Sequence, residues 1–578
     1  MSVEQVRPVQ GAALHRGRFG RLRRFEPASL IWILAAAALL FLVATPLVRL
    51  LISSLQATDS GAFTIGNYIS AYGHVRNLEA LGNSLLYALE VTLMSALMAV
   101  PIAWGVSRTD MPAKSLIRAL ILGAFITPPY LGAIGWILLA GPNAGWLNRA
   151  FMAITGSQHG FIDIYSFTVL SLVTALYAFP YIFVFTSDAL DRVSSEMEEA
   201  ANILGAGSFY TVFHITLPLV TPAILGGAIV VFLDTVALFG TPAIIALPAR
   251  IRIMTLQIWQ YFEFPVRAEV AAAYAIPLIA ITLALFWIQR AILGRRSYVA
   301  LTGKGGSRTL TPLGRWRWAI LGYSLFVVSL AVILPYAALA KAAFSKAWGL
   351  GFTLANLTFT NFYTLLSEEG ARRTIVHSFT YSAAAGCVAV ALALLAAYVV
   401  NRKLMPGGNL LTLLCMAPLV IPGIVLGIGF YAAFAAPPVA LYGTAAILVL
   451  GYSTRFLPIA YVNCAASLRS LNPEMEEAVR ILGGTRLRAI ARVIVPMLKK
   501  SLLGTWLLVF IPATRELSTA IFLVGAQTRV ISVMMLDLSE NGSFEILAAL
   551  GFFLLGATIL IVLIGYKVIG RDFMLRRS

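Results

Sequence analysis

Glu90, Asp234, and the adjacent Arg515 and Glu516 are ionisable residues that stand inside long apolar runs. A charge in hydrocarbon costs several kcal/mol, on the order of 3, so one retained there belongs to a polar path or to a structural pair. Glu90, Asp234 and Glu516 are accordingly candidate path-lining residues, while Arg515 and Glu516 can also neutralise each other. Enzyme constellations are missing. The five histidines (His15, His74, His159, His214 and His377) lack metal-ligand spacing, and Cys387, Cys415 and Cys464 form neither a disulfide framework nor a metal site. No HExxH motif, nucleophile elbow or Walker A loop is present. The nearest phosphate-cradle candidate, TGKGG at Thr302–Gly306, has Tyr298 where the first glycine belongs.

The elements that must position these charges are long and apolar. Hydrophobic residues make up 59% of the 578-residue chain and charged residues 12%, and the mean hydropathy is +0.85. That leaves too little polar surface for a soluble protein. Runs of about 20 or more apolar residues, enough to cross about 30 Å of hydrocarbon, fall near 28–54, 81–107, 115–140, 166–190, 218–243 and 270–294. A second set falls near 317–343, 377–401, 409–435, 440–468, 498–524 and 545–569. The first run is too long for a signal-peptide core. Pro128, Pro129 and Tyr130 should kink the third run. The net charge of +18 is concentrated between runs, at Arg16–Arg24 and again between Arg295 and Arg317. That is the positive-inside pattern and not a nucleic-acid surface. It places both termini in the cytoplasm.

The two sets are one unit repeated. An offset of 294, from Asn83 to His377, aligns Thr64 with Thr358, Asn67 with Asn361, Ser84 with Ser378 and Tyr87 with Tyr381. It also aligns Arg108 with Arg402, Pro112 with Pro406 and Pro128 with Pro422. Further on the offset becomes 278, aligning Pro180 with Pro458 and Met197 with Met475. These matches are informative because any two membrane helices share Leu and Ala. Six spans per unit give the halves the same orientation, about an axis along the membrane normal. The chain divides into a basic tail (1–27), a first transmembrane domain (28–294), a Gly-rich basic linker (295–316), a second transmembrane domain (317–569) and a short C-terminal tail (570–578).

The loops after the fourth and tenth spans read SSEMEEAANILGAGSFYTVFHITLPL from Ser194 and NPEMEEAVRILGGTRLRAIARVIVPM from Asn472. Each predicts a short helix, a glycine break and a second helix. Ser194 or Ser195, and Asn472, are suitable N-caps, and Pro473 suits the first helical position. Glu196, Glu198 and Glu199, with Glu474, Glu476 and Glu477 in the second copy, complement the positive end of the dipole. Gly205 and Gly483 stand where a left-handed residue ends a helix. Pro218 and Pro496 mark the return to the membrane. The acidic, alanine-rich helix lacks the aromatic face of a membrane anchor.

This pattern resembles the EAA loop of binding-protein-dependent ABC importer permeases. Glu199, Ala200, Ala201, Gly205, Ile215, Leu217 and Pro218 match it fully. Glu477, Ala478, Gly483 and Pro496 match in the second copy, with Val479, Val493 and Val495 as conservative departures. The resemblance implies an all-α polytopic membrane protein of MetI-like type I permease fold, about twelve transmembrane helices in two tandem six-helix repeats. It implies that Glu199, Ala200, Ala201, Gly205, Glu477, Ala478 and Gly483 belong to coupling helices, which dock on two cytoplasmic ATP-binding subunits. ATP is then used by those partners, and this chain binds no cofactor. A periplasmic binding protein delivers substrate to the bacterial inner membrane. Permeases with two fused halves resemble the ferric-iron type most, with thiamine, polyamine and phosphonate (2-aminoethylphosphonate) importers as relatives. An ion-coupled secondary transporter with Glu90 or Asp234 as proton site is the alternative class.

Overall fold

A computed structural model describes residues 27–58, 60–192, 196–294, 310–351, 353–404 and 407–569. The arginine-rich tail, most of the linker with Thr302–Gly306, Ser194, Ser195, Pro406 and the C-terminal tail lie outside the described residues. The first half comprises α1 (Trp32–Ser54), α2 (Val75–Arg108), α3 (Lys114–Ile126), α4 (Pro129–Ala140), α5 (Phe167–Arg192), α6 (Glu196–Ile203), α7 (Val212–Val236) and α8 (Ala268–Ala291). The second comprises α9 (Trp316–Ala343), α10 (Glu369–Asn401), α11 (Gly408–Leu419), α12 (Gly423–Phe434), α13 (Ala445–Arg469), α14 (Glu474–Ile481), α15 (Arg486–Thr514) and α16 (Phe544–Gly565).

Ten of these helices are long and apolar enough to cross a membrane. The two remaining runs are bent pairs, α3/α4 by 100° and α11/α12 by 112°. The kink expected at Pro128 is thus a full break, with Pro128 and Pro422 extended ahead of the second helix. A proline removes an N–H and disfavours helix in the residue before it. The run predicted over 218–243 also divides. α7 ends at Val236, and Gly240–Ile245 forms a separate short helix.

Prolines write a second mark. π-helical turns at Leu40–Ala44, Val212–Thr216, Ser329–Ile333 and Ile490–Ile494 each lie two residues before a proline: Pro46, Pro218, Pro335 and Pro496. Widening the turn relieves the clash of the proline ring with the carbonyl four residues earlier. Pro218 and Pro496, expected from sequence to mark the return to the membrane, therefore lie within the returning helices. The helical course begins earlier, at Ser208 and Arg486.

Each half is built on three mutually packed helices, α2, α5 and α7 or α10, α13 and α15. The repeat extends to single bonds. Asn67 Nδ2 donates to the carbonyls of Ser54 and Gln56, and Asn361 Nδ2 to those of Ala343 and Ser345. Ser84 Oγ accepts from Met254 N at 2.8 Å, and Ser378 Oγ from Ile531 N at 2.6 Å.

The halves exchange their first helices. α1 packs on α12, and α9 on α4. Glycine permits both approaches: a Cβ on Gly429 would fall 2.9 Å from the Pro46 carbonyl oxygen, and one on Gly135 would fall 2.8 Å from Pro335 Cβ. Small residues allow such close backbone packing in membranes. Thr127 Oγ1 and Tyr336 Oη, 2.6 Å apart, add a polar tie across the same seam.

Candidate functional sites

The EMEEA segments form the short helices α6 and α14, with the acids in the first turn. Gly205 and Gly483 have φ of +85° and +80°. A Cβ at either would meet nothing within 4 Å, so backbone conformation alone calls for glycine. Six-to-one hydrogen bonds close both ends, Ala206 N to Ala201 O at 2.9 Å and Gly484 N to Val479 O at 2.8 Å. This is the Schellman arrangement. Asn472 caps α14 through Oδ1, which accepts from Glu474 N at 3.1 Å. α14 starts at Glu474, so Pro473 precedes the first helical residue.

The glutamates divide their roles. Glu198 and Glu476 are 7% and 6% exposed and point inward. Glu198 Oε1 accepts from Thr216 Oγ1 at 2.7 Å and lies 3.8 Å from Arg108 Nε. Glu476 accepts from Arg402 Nε at 3.0 Å and from Tyr398 Oη. Arg108 and Arg402 close the ends of α2 and α10, so each short helix is fastened to a long helix of its own half. Glu199 is half-buried, whereas Glu477, Ala200, Ala478, Gly205 and Gly483 are exposed and Ala201 is buried. Ile203, Leu204, Ile481 and Leu482 are 84–88% exposed. Beside α6, Met197, Ala200, Leu204, Tyr210 and Ile215 line an open groove. Sequence reasoning singled out Glu199 and Glu477 but missed the anchoring of Glu198 and Glu476. Its available signal was Arg108 and Arg402 at matching repeat positions.

The second site lies between the halves, level with Tyr177 and Tyr181 in the middle of α5. A cavity of about 40 Å³ is lined by Thr127, Tyr177, Tyr181 and Asp234 of the first half and Arg515 of the second. Asp234 is exposed and is one of the residues lining this cavity. Arg515 Nη1 crosses the seam to donate to the carbonyls of Ile126 and Phe125, at the end of α3. Arg455 Nη1 donates to the carbonyls of Ile421 at 2.8 Å and Pro418 at 3.4 Å, beside the α11/α12 break. Carbonyls freed at a helix break inside a membrane need donors, and a cation suits the negative end of a helix. The repeat positions of Arg455 and Arg515 hold Tyr177 and Ala237, so the two breaks are satisfied by non-equivalent arginines of one half. Glu516 Oε1 accepts from Thr519 N at 3.0 Å. Glu90, on α2, is not among the residues lining the cavity. Arg455 was missed from sequence, although it is a charge inside the span predicted over 440–468.

The family model described as the binding-protein-dependent transport system inner membrane component matches residues 80–298 and 389–573. The chain belongs to that family, as a fused permease with the domain present twice, and is a multi-pass membrane component of an ABC importer. It is 26% identical over 540 residues to the ferric transport system permease protein FbpB of Actinobacillus pleuropneumoniae, covering 92% of this chain and 76% of that one. It is 27% identical over 458 residues to FbpB 1 of Haemophilus influenzae, named for the same transport, covering 78% and 71%. The molybdenum transport system permease protein ModB of Haemophilus influenzae is 32% identical over 165 residues, 28% of this chain and 69% of that protein.

Proposed function

We propose that the chain forms the translocation path of an ATP-driven importer, and that α6 and α14 are the handles through which two ATP-binding subunits drive it. The carrying observation is that both short helices are locked to their own halves by buried ion pairs, Arg108–Glu198 and Arg402–Glu476, while their tips expose Ile203, Leu204, Ile481 and Leu482. A helix gripped in a groove on one side and anchored on the other transmits displacement. Closure of the ATP-binding subunits draws the handles together and rocks the halves between inward- and outward-open states. In this reading both termini and both handles are cytoplasmic, and a periplasmic binding protein delivers cargo at the opposite face.

The cargo we favour is ferric iron. Support comes from the two FbpB proteins, whose similarity runs through both halves, whereas ModB matches a single stretch. A 2-aminoethylphosphonate, thiamine or polyamine importer of the same architecture is the alternative cargo reading. The test is uptake of ⁵⁵Fe(III) into vesicles carrying the chain, its ATP-binding subunit and its binding protein. Uptake requiring internal ATP is expected. Uptake driven by an ion gradient without the ATP-binding subunit contradicts the reading.

A further inference from the structure

Each handle's anchor is also held from the opposite half. Residues 310–313, which lead into α9, run parallel to the end of α2. Thr311 N donates to the Arg108 carbonyl at 2.9 Å, and Asp110 N to the Thr311 carbonyl at 3.3 Å. Asp110 Oδ1 accepts from Leu313 N at 2.9 Å, and its Oδ2 lies 3.8 Å from Arg317 Nη1 in the first turn of α9. Leu313 and Thr109 are buried. Ile320 then seats on Gly105, where a Cβ would fall 2.6 Å from Ile320 Cγ2. Arg108 is thus shared: its backbone carries this strap, and its side chain faces Glu198 of α6. In the other half, Trp32 of α1 packs on Tyr398 with ring centroids 5.4 Å apart. Tyr398 Oη in turn donates to Glu476 of α14.

The two ties match in place and differ in chemistry. The 294 offset puts Leu404 opposite Asp110 and Trp104 opposite Tyr398, so neither contact is simply copied by the duplication. The ion pair of Asp110 with Arg317 is partly exposed and contributes little. What holds the strap is the set of backbone bonds, the carboxylate's bond to Leu313 N and the burial of Leu313. We propose that Asp110 is a positioning residue for the first handle: it fixes the entry to α9 on the end of α2, so that α6 and α9 move as one body. Trp32 gives α14 and α1 the corresponding tie. Packed contacts of this kind shift as units and do not deform smoothly. Each rocking body is therefore built from both halves of the chain, with the first helices exchanged. This inference rests on the handle reading and adds which helices travel with each handle.

Spin-label distances test it, measured by double electron–electron resonance on the full chain in lipid nanodiscs with its ATP-binding subunit. Cys387, Cys415 and Cys464 are replaced in this background. Glu196→Cys with Ala319→Cys reports across the tie, and Glu196→Cys with Glu474→Cys reports between the handles. All three positions are exposed, and none is at a handle tip. When ATP and vanadate close the ATP-binding subunits, the distance between handles should shorten while that from α6 to α9 stays unchanged. Asp110→Ala removes the acceptor for Leu313 N and should let the α6–α9 distance shift with ATP. Asp110→Asn keeps that acceptor and should hold it. Thr311→Pro removes the donor to Arg108 from the strap side, outside the membrane spans, and should act like Asp110→Ala. An α6–α9 distance that shifts with ATP while Asp110 is intact overturns the proposal, as does one that stays fixed in both Asp110→Ala and Thr311→Pro. A handle distance that does not respond to ATP overturns the handle reading, and this tie with it.

Discussion

Arg402 Nε lies 3.0 Å from Glu476 Oε2, and the same pairing recurs in the other half where Arg108 Nε lies 3.8 Å from Glu198 Oε1. Both joints are largely buried, and each fixes an eight-residue helix to the end of a helix four times its length. Removing one partner of a buried pair costs about 3–5 kcal/mol, chiefly by stranding the other charge. Glu476→Gln and Glu198→Gln should therefore lower ATP-dependent uptake by roughly tenfold or more while the chain still inserts. Exchanging the partners, as Arg402→Glu with Glu476→Arg, should restore part of it. Uptake in vesicles, alongside recovery of protein in the membrane fraction, checks this.

Gly205 and Gly483 end the handles in left-handed backbone. Gly205→Pro cannot adopt that φ and should abolish ATP-coupled uptake without preventing insertion. Glu477→Lys, on the exposed side of α14, should do the same by reversing charge at the docking surface. The milder Gly205→Ala should cost about 1 kcal/mol. Normal transport by both severe variants would remove the handle assignment.

The seam between the halves depends on absent side chains. Gly135→Val and Gly429→Val should lower the melting temperature in detergent, by overpacking worth about 1–3 kcal/mol each. Gly82→Ala, where a Cβ meets nothing within 4 Å, is the control and should not lower it. Differential scanning of the purified variants reads the difference.

A pH effect is expected at the face opposite the handles. Burial raises the Asp537 carboxyl above the ordinary carboxylate range, with Arg529 opposing. Burial, then Asp537 and Glu263, raises Glu540. An acid whose pKa is raised by folding binds more protons folded than unfolded. Its contribution to stability therefore falls as pH rises through that window and recovers as pH falls. Glu540→Gln should flatten the pH dependence of melting between the ordinary and raised carboxylate values. An unchanged profile would count against it.

Much of this was legible in the sequence because its signals are local. Span length follows from apolar runs, and the duplication from polar matches such as Asn67 with Asn361, which make equivalent bonds. Glycine at 205 and 483 predicted left-handed helix ends that are present. What escaped were relations across distance. The exchange of α1 and α9 depends on Gly135 and Gly429 meeting prolines about 200 and 380 residues away. Nothing local shows that Glu198 turns inward while its neighbour Glu199 does not. The π-turns before Pro46, Pro218, Pro335 and Pro496 shift the onset of two helices, because a widened turn keeps the helical course running through a residue that usually stops it.

Site-directed crosslinking at the two handles decides whether they dock on the ATP-binding subunits. Leu204→Cys and Leu482→Cys, in a background with Cys387, Cys415 and Cys464 replaced, would be treated with a short bifunctional thiol reagent in inverted membrane vesicles containing the ATP-binding subunit. Each cysteine is expected to be labelled from the cytoplasmic side and to join to that subunit, with yield changing when ATP is added. Labelling only from the periplasmic side, or no adduct with the ATP-binding subunit from either position, would contradict it.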